Sequence, residues 1–202
     1  MGKGAVGFAF SGVGEMMATS TTTRKFTVDE YNRMSQVGIL DEDDRVELWD
    51  GEIRVMSPIG SAHSAVVNRL IALFSEALGK RVVLSVQNPV ELDEYHDPQP
   101  DVAVLKPKAD YYASGHPQPR DTLLVVEVSD TSLVYDREEK LPKYAEVGIP
   151  EVWIVDIQGE AIEQFSQPSG HDYQQRSVLG RGQRLGSVSF PDLILVTDDI
   201  LG

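Results

Sequence analysis

The sequence contains no cysteine among its 202 residues. This absence excludes disulfide frameworks, zinc ribbons and thiol nucleophiles, and it fits a reducing compartment. No apolar run approaches the roughly 18 residues that a membrane span needs, and the N-terminus lacks the basic start and apolar core of a signal peptide. These absences predict a protein of the cytoplasm with no membrane partner.

Positive charge is also scarce, because 18 Lys and Arg residues stand against 32 Asp and Glu residues, for a net charge of −14. Proteins that bind duplex DNA nonspecifically usually present a basic surface, since phosphate contacts supply most of that affinity. An acidic chain could still bind DNA if its acidic residues lay away from a small cleft, or if bound cations supplied positive charge.

The length and the 41% hydrophobic content predict one domain, covering residues 27–202. Residues 1–26 are rich in Gly, Ser and Thr without periodicity, which predicts a disordered N-terminal segment. Gly2, Gly4 and Gly7 satisfy G-x-G-x-x-G, but no strand precedes them, so dinucleotide binding is not predicted.

The first part of the domain carries strong local signals. Thr27 and Glu30 form a capping-box pattern, which predicts a helix that ends before Gly38. Asp50 and Gly51 separate two strand-like runs and predict a hairpin over residues 45–56. A second helix is predicted from Ser61 to Gly79 by four apolar residues at four-residue intervals: Val66, Leu70, Phe74 and Leu78.

The rest of the chain alternates strands with one helix. Strands are predicted over residues 81–86 with 90–92, over 101–105, and over 122–128, the last of which is apolar enough to lie inside a sheet. A helix over 135–147, interrupted by Pro142, and a strand over 151–156 complete a βαβ unit. A hairpin around Gly159, a strand over 173–179 and a C-terminal tail over 190–201 follow.

Two carboxylates lie at strand ends in this scheme. Asp101 opens one strand and Glu127 lies near the end of the next, where burying a charge without a partner is costly. Such a pair can bind a hard cation such as Mg²⁺ or Mn²⁺ through oxygen ligands. The alternative is that each carboxylate simply faces water.

Phosphodiester hydrolysis also benefits from a cationic side chain near the developing negative charge. The candidates on the following helix are Lys140 and Lys143. Lys140 shares a face with Asp136 and Tyr144 and is the lysine expected to point toward the carboxylates, although a solvated ion pair between Asp136 and Lys140 is the commoner explanation of such spacing. Glu47 alternates with apolar residues and should face solvent on that pattern alone. A histidine in a first helical turn, such as His63, more often caps the helix or lies at the surface.

Six segments together resemble the Uma-type restriction endonuclease family of the PD-(D/E)XK nuclease superfamily, over about residues 27–200. They are ELWDGE from Glu47, MSP from Met56 with His63, PDVAV from Pro100, VVEVS from Val125, YD from Tyr135 with Lys140 and Tyr144, and GIPEVWIVD from Gly148.

The resemblance implies an α/β fold with a restriction-endonuclease-like PD-(D/E)XK core, in which helices flank a mixed central sheet and an N-terminal helix and hairpin come first. It further implies a homodimeric Mg²⁺-dependent endonuclease acting on DNA, with Mn²⁺ able to substitute. Asp101 and Glu127 would bind the metal, Glu47 would add a carboxylate, and Lys140 would replace the lysine that the superfamily places at the position of Ser129. Two alternatives stay open: an inactive binding module, and a metal-dependent hydrolase of small phosphorylated substrates.

Overall fold

The computed structural model describes residues 1–2, 23–41 and 43–202. Most of the segment expected to be disordered, with Gly4 and Gly7 of the glycine pattern, lies outside the described residues. Phe26 is attached to the domain: its amide donates to the Gly51 carbonyl at 2.8 Å, and its side chain packs beside Leu48. No helix of the described part is long and apolar enough to cross a membrane.

A helix and a hairpin open the domain. Helix α1 (Val28–Gln36) begins at the predicted capping box, in which the Thr27 hydroxyl accepts from the Glu30 amide. Strands β1 (Val46–Trp49) and β2 (Glu52–Val55) pair antiparallel on either side of Asp50 and Gly51, both of which have positive φ, as the predicted two-residue turn requires. The Tyr31 hydroxyl donates to the Val46 carbonyl at 3.0 Å and joins α1 to this hairpin.

A six-stranded mixed sheet forms the centre, with strand order β3-β4-β5-β6-β7-β8. Only β5 and β6 run parallel, as the βαβ prediction requires, and the other neighbours are antiparallel. The strands are β3 (Val83–Ser85), β4 (Val102–Leu105), β5 (Thr122–Ser129), β6 (Glu151–Asp156), β7 (Ala161–Ser169) and β8 (Asp172–Gly180).

Each face of the sheet is covered by a different helix. Helix α2 (Ser61–Leu78) covers one face with the predicted apolar residues, against alternate residues of β4 and β5 such as Val102 and Val126. The other face, which includes Ala103 and Val125, packs against α4 (Leu141–Glu146). The interior position predicted for β5 is therefore confirmed.

The helix between β5 and β6 is not regular. It starts with a short turn, α3 (Leu133–Tyr135), continues as a π-helical turn (Asp136–Lys140) in which the Leu141 amide donates to the Asp136 carbonyl, and ends as α4. Pro142 follows the wide turn. Because proline has no amide hydrogen and its ring collides with the carbonyl four residues earlier, the regular hydrogen-bond ladder is displaced here.

Two of the predicted elements are wrong. Residues 90–92 do not form a strand, because the amides of Val90 and Leu92 donate to Pro98 and His96 and close a local loop. The C-terminal segment is not a tail: β9 (Arg184–Gly186) pairs with β10 (Ile194–Val196), and α5 (Thr197–Leu201) follows. Leu195 and Ile200 are buried in the core beside α2.

Candidate active site

The two strand-end carboxylates lie side by side. The antiparallel register pairs Val102 with Val126, and one further step along both strands places Asp101 beside Glu127. Both side chains line a pocket of about 500 Å³, whose outer wall includes the exposed residues Ser57, Pro58 and Ile59. The structure thus brings together the two residues that the strand pattern selected.

Three neighbouring groups hold the Asp101 carboxylate in place. Its Oδ2 accepts the Val128 amide at 2.8 Å, and its Oδ1 lies 3.1 Å from the Gln87 side-chain amide and 3.0 Å from Nε2 of His63. These contacts come from β5, the loop after β3 and α2. They fix the carboxylate at the pocket wall while its side chain stays 14% exposed.

Glu127 is almost completely buried, with 3% of its surface exposed. Its Oε1 accepts from the Tyr144 hydroxyl at 2.6 Å and lies 3.3 Å from Nζ of Lys140. Burial raises the pKa of this carboxyl to about 8; Lys140 opposes the rise, and the negative charges of Asp136 and Asp101 add to it. Without a further cation, Glu127 is mostly protonated at neutral pH.

Lys140 reaches the carboxylates from the π-helical turn. Its ammonium lies 3.2 Å from Glu47 Oε2 as well as beside Glu127, and the side chain is 7% exposed. Burial alone would lower its pKa, but its acidic neighbours, among them the buried Glu47, outweigh burial and raise it, so the lysine stays charged. It therefore places a permanent positive charge at the wall of the pocket.

The alternative of a solvated pair between Asp136 and Lys140 is wrong. Both residues are buried, and Oδ2 of Asp136 accepts from the hydroxyls of Ser129 at 2.7 Å and Ser132 at 2.6 Å. Ser129, which occupies the superfamily's lysine position, thus supports the helix that carries Lys140.

Glu47 does not face solvent, contrary to the expectation from strand alternation. It is 2% exposed, and its Oε1 accepts from the Tyr135 hydroxyl at 3.0 Å. The hairpin packs against the pocket, so this side of β1 is covered by the helix after β5. Tyr135 has no sequence signal of its own as a site residue, apart from its place in the family-like motif.

His63 differs from the expectation for a first-turn histidine, whereas Lys143 is the candidate lysine that does not reach the pocket. His63 is no surface residue: it contacts Asp101, which raises the pKa of the imidazole against the opposing effect of burial. Its Nδ1 is buried without a hydrogen-bond partner in the described part of the chain. Lys143 lies outside the pocket and pairs with Asp93 at 2.6 Å and Glu146 at 2.8 Å.

Asp101 and Glu127 are the residues of this pocket that could together hold a divalent cation. Carboxylate oxygens are the ligands that Mg²⁺ and Mn²⁺ prefer, and a buried carboxyl with a raised pKa gains most from an added positive charge. Among the residues that the structure describes, no group of three or more His, Asp or Glu side chains is arranged to hold a metal. Further ligands would therefore come from the backbone, water or a substrate.

Comparisons with known proteins agree with this architecture. A solved structure from Anabaena variabilis ATCC 29413, titled as a putative nuclease belonging to DUF820, is similar with a TM-score of 0.65 and 16% identity. The match covers 87% of this chain and 97% of that one, and it supports the restriction-endonuclease-like fold. No curated protein sequence matches the chain. The model of the Uma2 family, described as "Putative restriction endonuclease", matches residues 28–198, and the chain therefore belongs to that family.

Proposed function

We propose that this protein is a metal-dependent endonuclease that hydrolyses phosphodiester bonds of DNA with Mg²⁺, for which Mn²⁺ can substitute. One observation carries the proposal: Asp101 and Glu127 line one pocket, and a buried charged lysine contacts Glu127 from another element. Carboxylates that can hold a hard cation, next to a fixed ammonium, are groups that promote phosphodiester hydrolysis. Membership of the family supports the same reaction.

Asp101 and Glu127 would hold the cation. When bound there, a divalent cation polarises a phosphoryl oxygen and offsets the negative charge that develops during hydrolysis. The other groups prepare the two carboxylates: the Val128 amide and His63 orient Asp101, and the Tyr144 hydroxyl orients Glu127.

Lys140 and Glu47 act as a pair in this proposal. The ammonium compensates the buried charge of Glu47 and remains near Glu127, so a phosphate entering the pocket meets a preorganised cation. Glu47 in turn keeps Lys140 charged and oriented. A lysine that reaches the site from the helix thus takes the place of the one missing at Ser129.

DNA is the proposed partner despite the net charge of −14. The pocket itself also carries positive charge, because Arg45, Arg54 and Lys140 line it together with five carboxylates. The family resemblance also supports a homodimer, which would present two such pockets to a duplex.

A binding module without catalytic activity is the second candidate. It is favoured by the absence of a three-residue metal cluster in the described ranges, and by the fact that Lys140 already contacts both Glu47 and Glu127. A hydrolase of small phosphorylated substrates is less favoured, because exposed residues form the outer wall of the pocket.

A cleavage assay on mixed linear, supercoiled and single-stranded DNA separates these candidates. The parent protein should cleave with Mg²⁺ or Mn²⁺ and stop when EDTA is added, and Asp101→Asn should abolish cleavage. Asp110→Asn is a matched control, since Asp110 lies outside the pocket. Folded parent protein that binds DNA but cleaves none of it with either metal would establish the binding module instead.

A further inference from the structure

Four side chains that can be cationic line the pocket, and three of them have acidic partners. Lys140 contacts Glu47 and Glu127, Arg54 lies 2.5 Å from Glu139, and His63 contacts Asp101. Arg45 is the fourth. Within the described ranges, its guanidinium has neither an ion pair nor a hydrogen bond, although the chain carries a large excess of acidic residues.

The position of Arg45 makes this isolation unusual. The side chain is half-buried, and it lines the same pocket as the basic side chain of His63. A partly desolvated cation next to another basic group is unfavourable unless an anion joins it. Arg45 is therefore placed to bind an anion that comes from outside the chain.

The surroundings fit a phosphate oxygen. Arg45 directly precedes β1, so the hairpin fixes it next to Glu47, which lines the same pocket. A guanidinium can donate two parallel N–H groups to the non-bridging oxygens of one phosphate. Helix α2 also begins at this pocket with Gly60 as its N-cap, which offers no capping side chain to the first amides.

We propose that Arg45 binds a phosphate of the DNA strand. This phosphate is the neighbour of the one held at Asp101 and Glu127. This assignment rests on the proposed function and adds a second phosphate subsite to it. A nucleic acid strand carries one negative charge for each nucleotide, so a pocket that holds one phosphate at the metal ligands meets its neighbour nearby. Arg45 is then a binding residue that positions the strand, and it selects polynucleotides over small substrates with one phosphate.

The test measures the affinity of the full chain for a short DNA duplex in Ca²⁺ over a range of salt concentrations, with gels to verify that the duplex stays intact. Arg45→Gln should weaken binding about tenfold and should reduce the slope of log affinity against log salt by about one. Arg45→Lys should keep the slope and recover part of the affinity. Arg33→Gln is the matched control, because Arg33 is exposed, lies outside the pocket and has no ion pair among the described residues.

A second measurement locates the contact. Duplexes with a single neutral methylphosphonate at successive positions should bind the parent protein more weakly at one flanking phosphate, and Arg45→Gln should be insensitive to that same replacement. Unchanged affinity of Arg45→Gln, or an equal loss in Arg33→Gln, would overturn the assignment while leaving the nuclease proposal intact. A parent protein that binds no duplex would overturn both.

Discussion

The ammonium of Lys140 lies 3.3 Å from Oε1 of Glu127, although one residue belongs to a π-helical turn and the other to a central strand. The same ammonium contacts Glu47 on the N-terminal hairpin. Three separate parts of the chain therefore meet at one buried charge, and the stability of the fold is coupled to the candidate active site.

Removal of this charge should destabilise the protein and stop cleavage. Lys140→Met leaves the buried carboxylate of Glu47 without its cation, and we expect a loss of about 3 kcal/mol in the free energy of unfolding. Lys143→Met is the matched control, because that lysine belongs to a partly exposed ion-pair group outside the pocket and should cost about 1 kcal/mol or less. Urea denaturation measures both values, and equal losses would contradict the central role of Lys140.

Metal binding should release a proton from Glu127. At pH 7 this carboxyl is mostly protonated, because its pKa is raised to about 8, and a bound cation favours the ionised form. Titration calorimetry with Mn²⁺ in buffers of different ionisation enthalpy should detect release of close to one proton at pH 7, falling towards none above pH 9. Identical heats in all buffers at pH 7 would show that metal binding releases no proton from Glu127.

Asp97, which is not one of the proposed metal ligands, should make the stability of the fold depend on pH. Its side chain is 1% exposed, and both carboxyl oxygens lack a hydrogen-bond partner among the described residues. Burial, with smaller contributions from Glu91 and Glu47, raises its pKa from 3.8 to about 7. The folded protein therefore binds a proton that the unfolded chain releases at lower pH.

Because the folded-state pKa of this acid is raised, the stability that Asp97 contributes should fall as pH rises from about 4 to about 7 and then level off. The contribution of Asp97 is on the order of 4 kcal/mol across that window. Denaturation at several pH values should show a flatter profile for Asp97→Asn, whereas the exposed control Asp43→Asn should keep the parent profile. An unchanged profile in Asp97→Asn would assign the pH dependence to other groups.

A substitution at the turn of the first hairpin should have a steric effect that can be separated from the effect of backbone strain. Gly51 has a φ of +70°, and a Cβ atom added there would lie 2.5 Å from Cβ of Lys25 and 3.2 Å from its Cα. Gly170, in another hairpin turn, has a φ of +62° with nothing within 4 Å of the added atom.

Gly170→Ala should therefore cost about 1 kcal/mol, from the left-handed backbone alone. Gly51→Ala should cost about 2 to 3 kcal/mol, because the segment before α1 must also move. Since this hairpin carries Glu47, the Gly51 variant should also lose cleavage activity, which the Gly170 variant should keep. Thermal melts and the cleavage assay of both variants test this difference, which would be refuted by equal costs.

Local chemistry in the sequence determined several elements of this protein. The Asp50-Gly51 turn specified the hairpin, the four-residue apolar spacing specified α2, and the apolar run of β5 specified an interior strand. The pairing of Asp101 with Glu127 also followed from strand ends, because neighbouring strands bring such ends together.

Only the tertiary structure decided which side chains complete the site. Alternation within β1 showed that Glu47 shares no face with Leu48, but another element, the helix after β5, covers its face and buries it. The C-terminal segment joined the core for the same reason, through contacts with α2 distant in sequence. Periodicity fixes the faces of one element, whereas hydrophobic burial is non-directional and acts between elements, so the partner of each face emerges only when the whole chain packs.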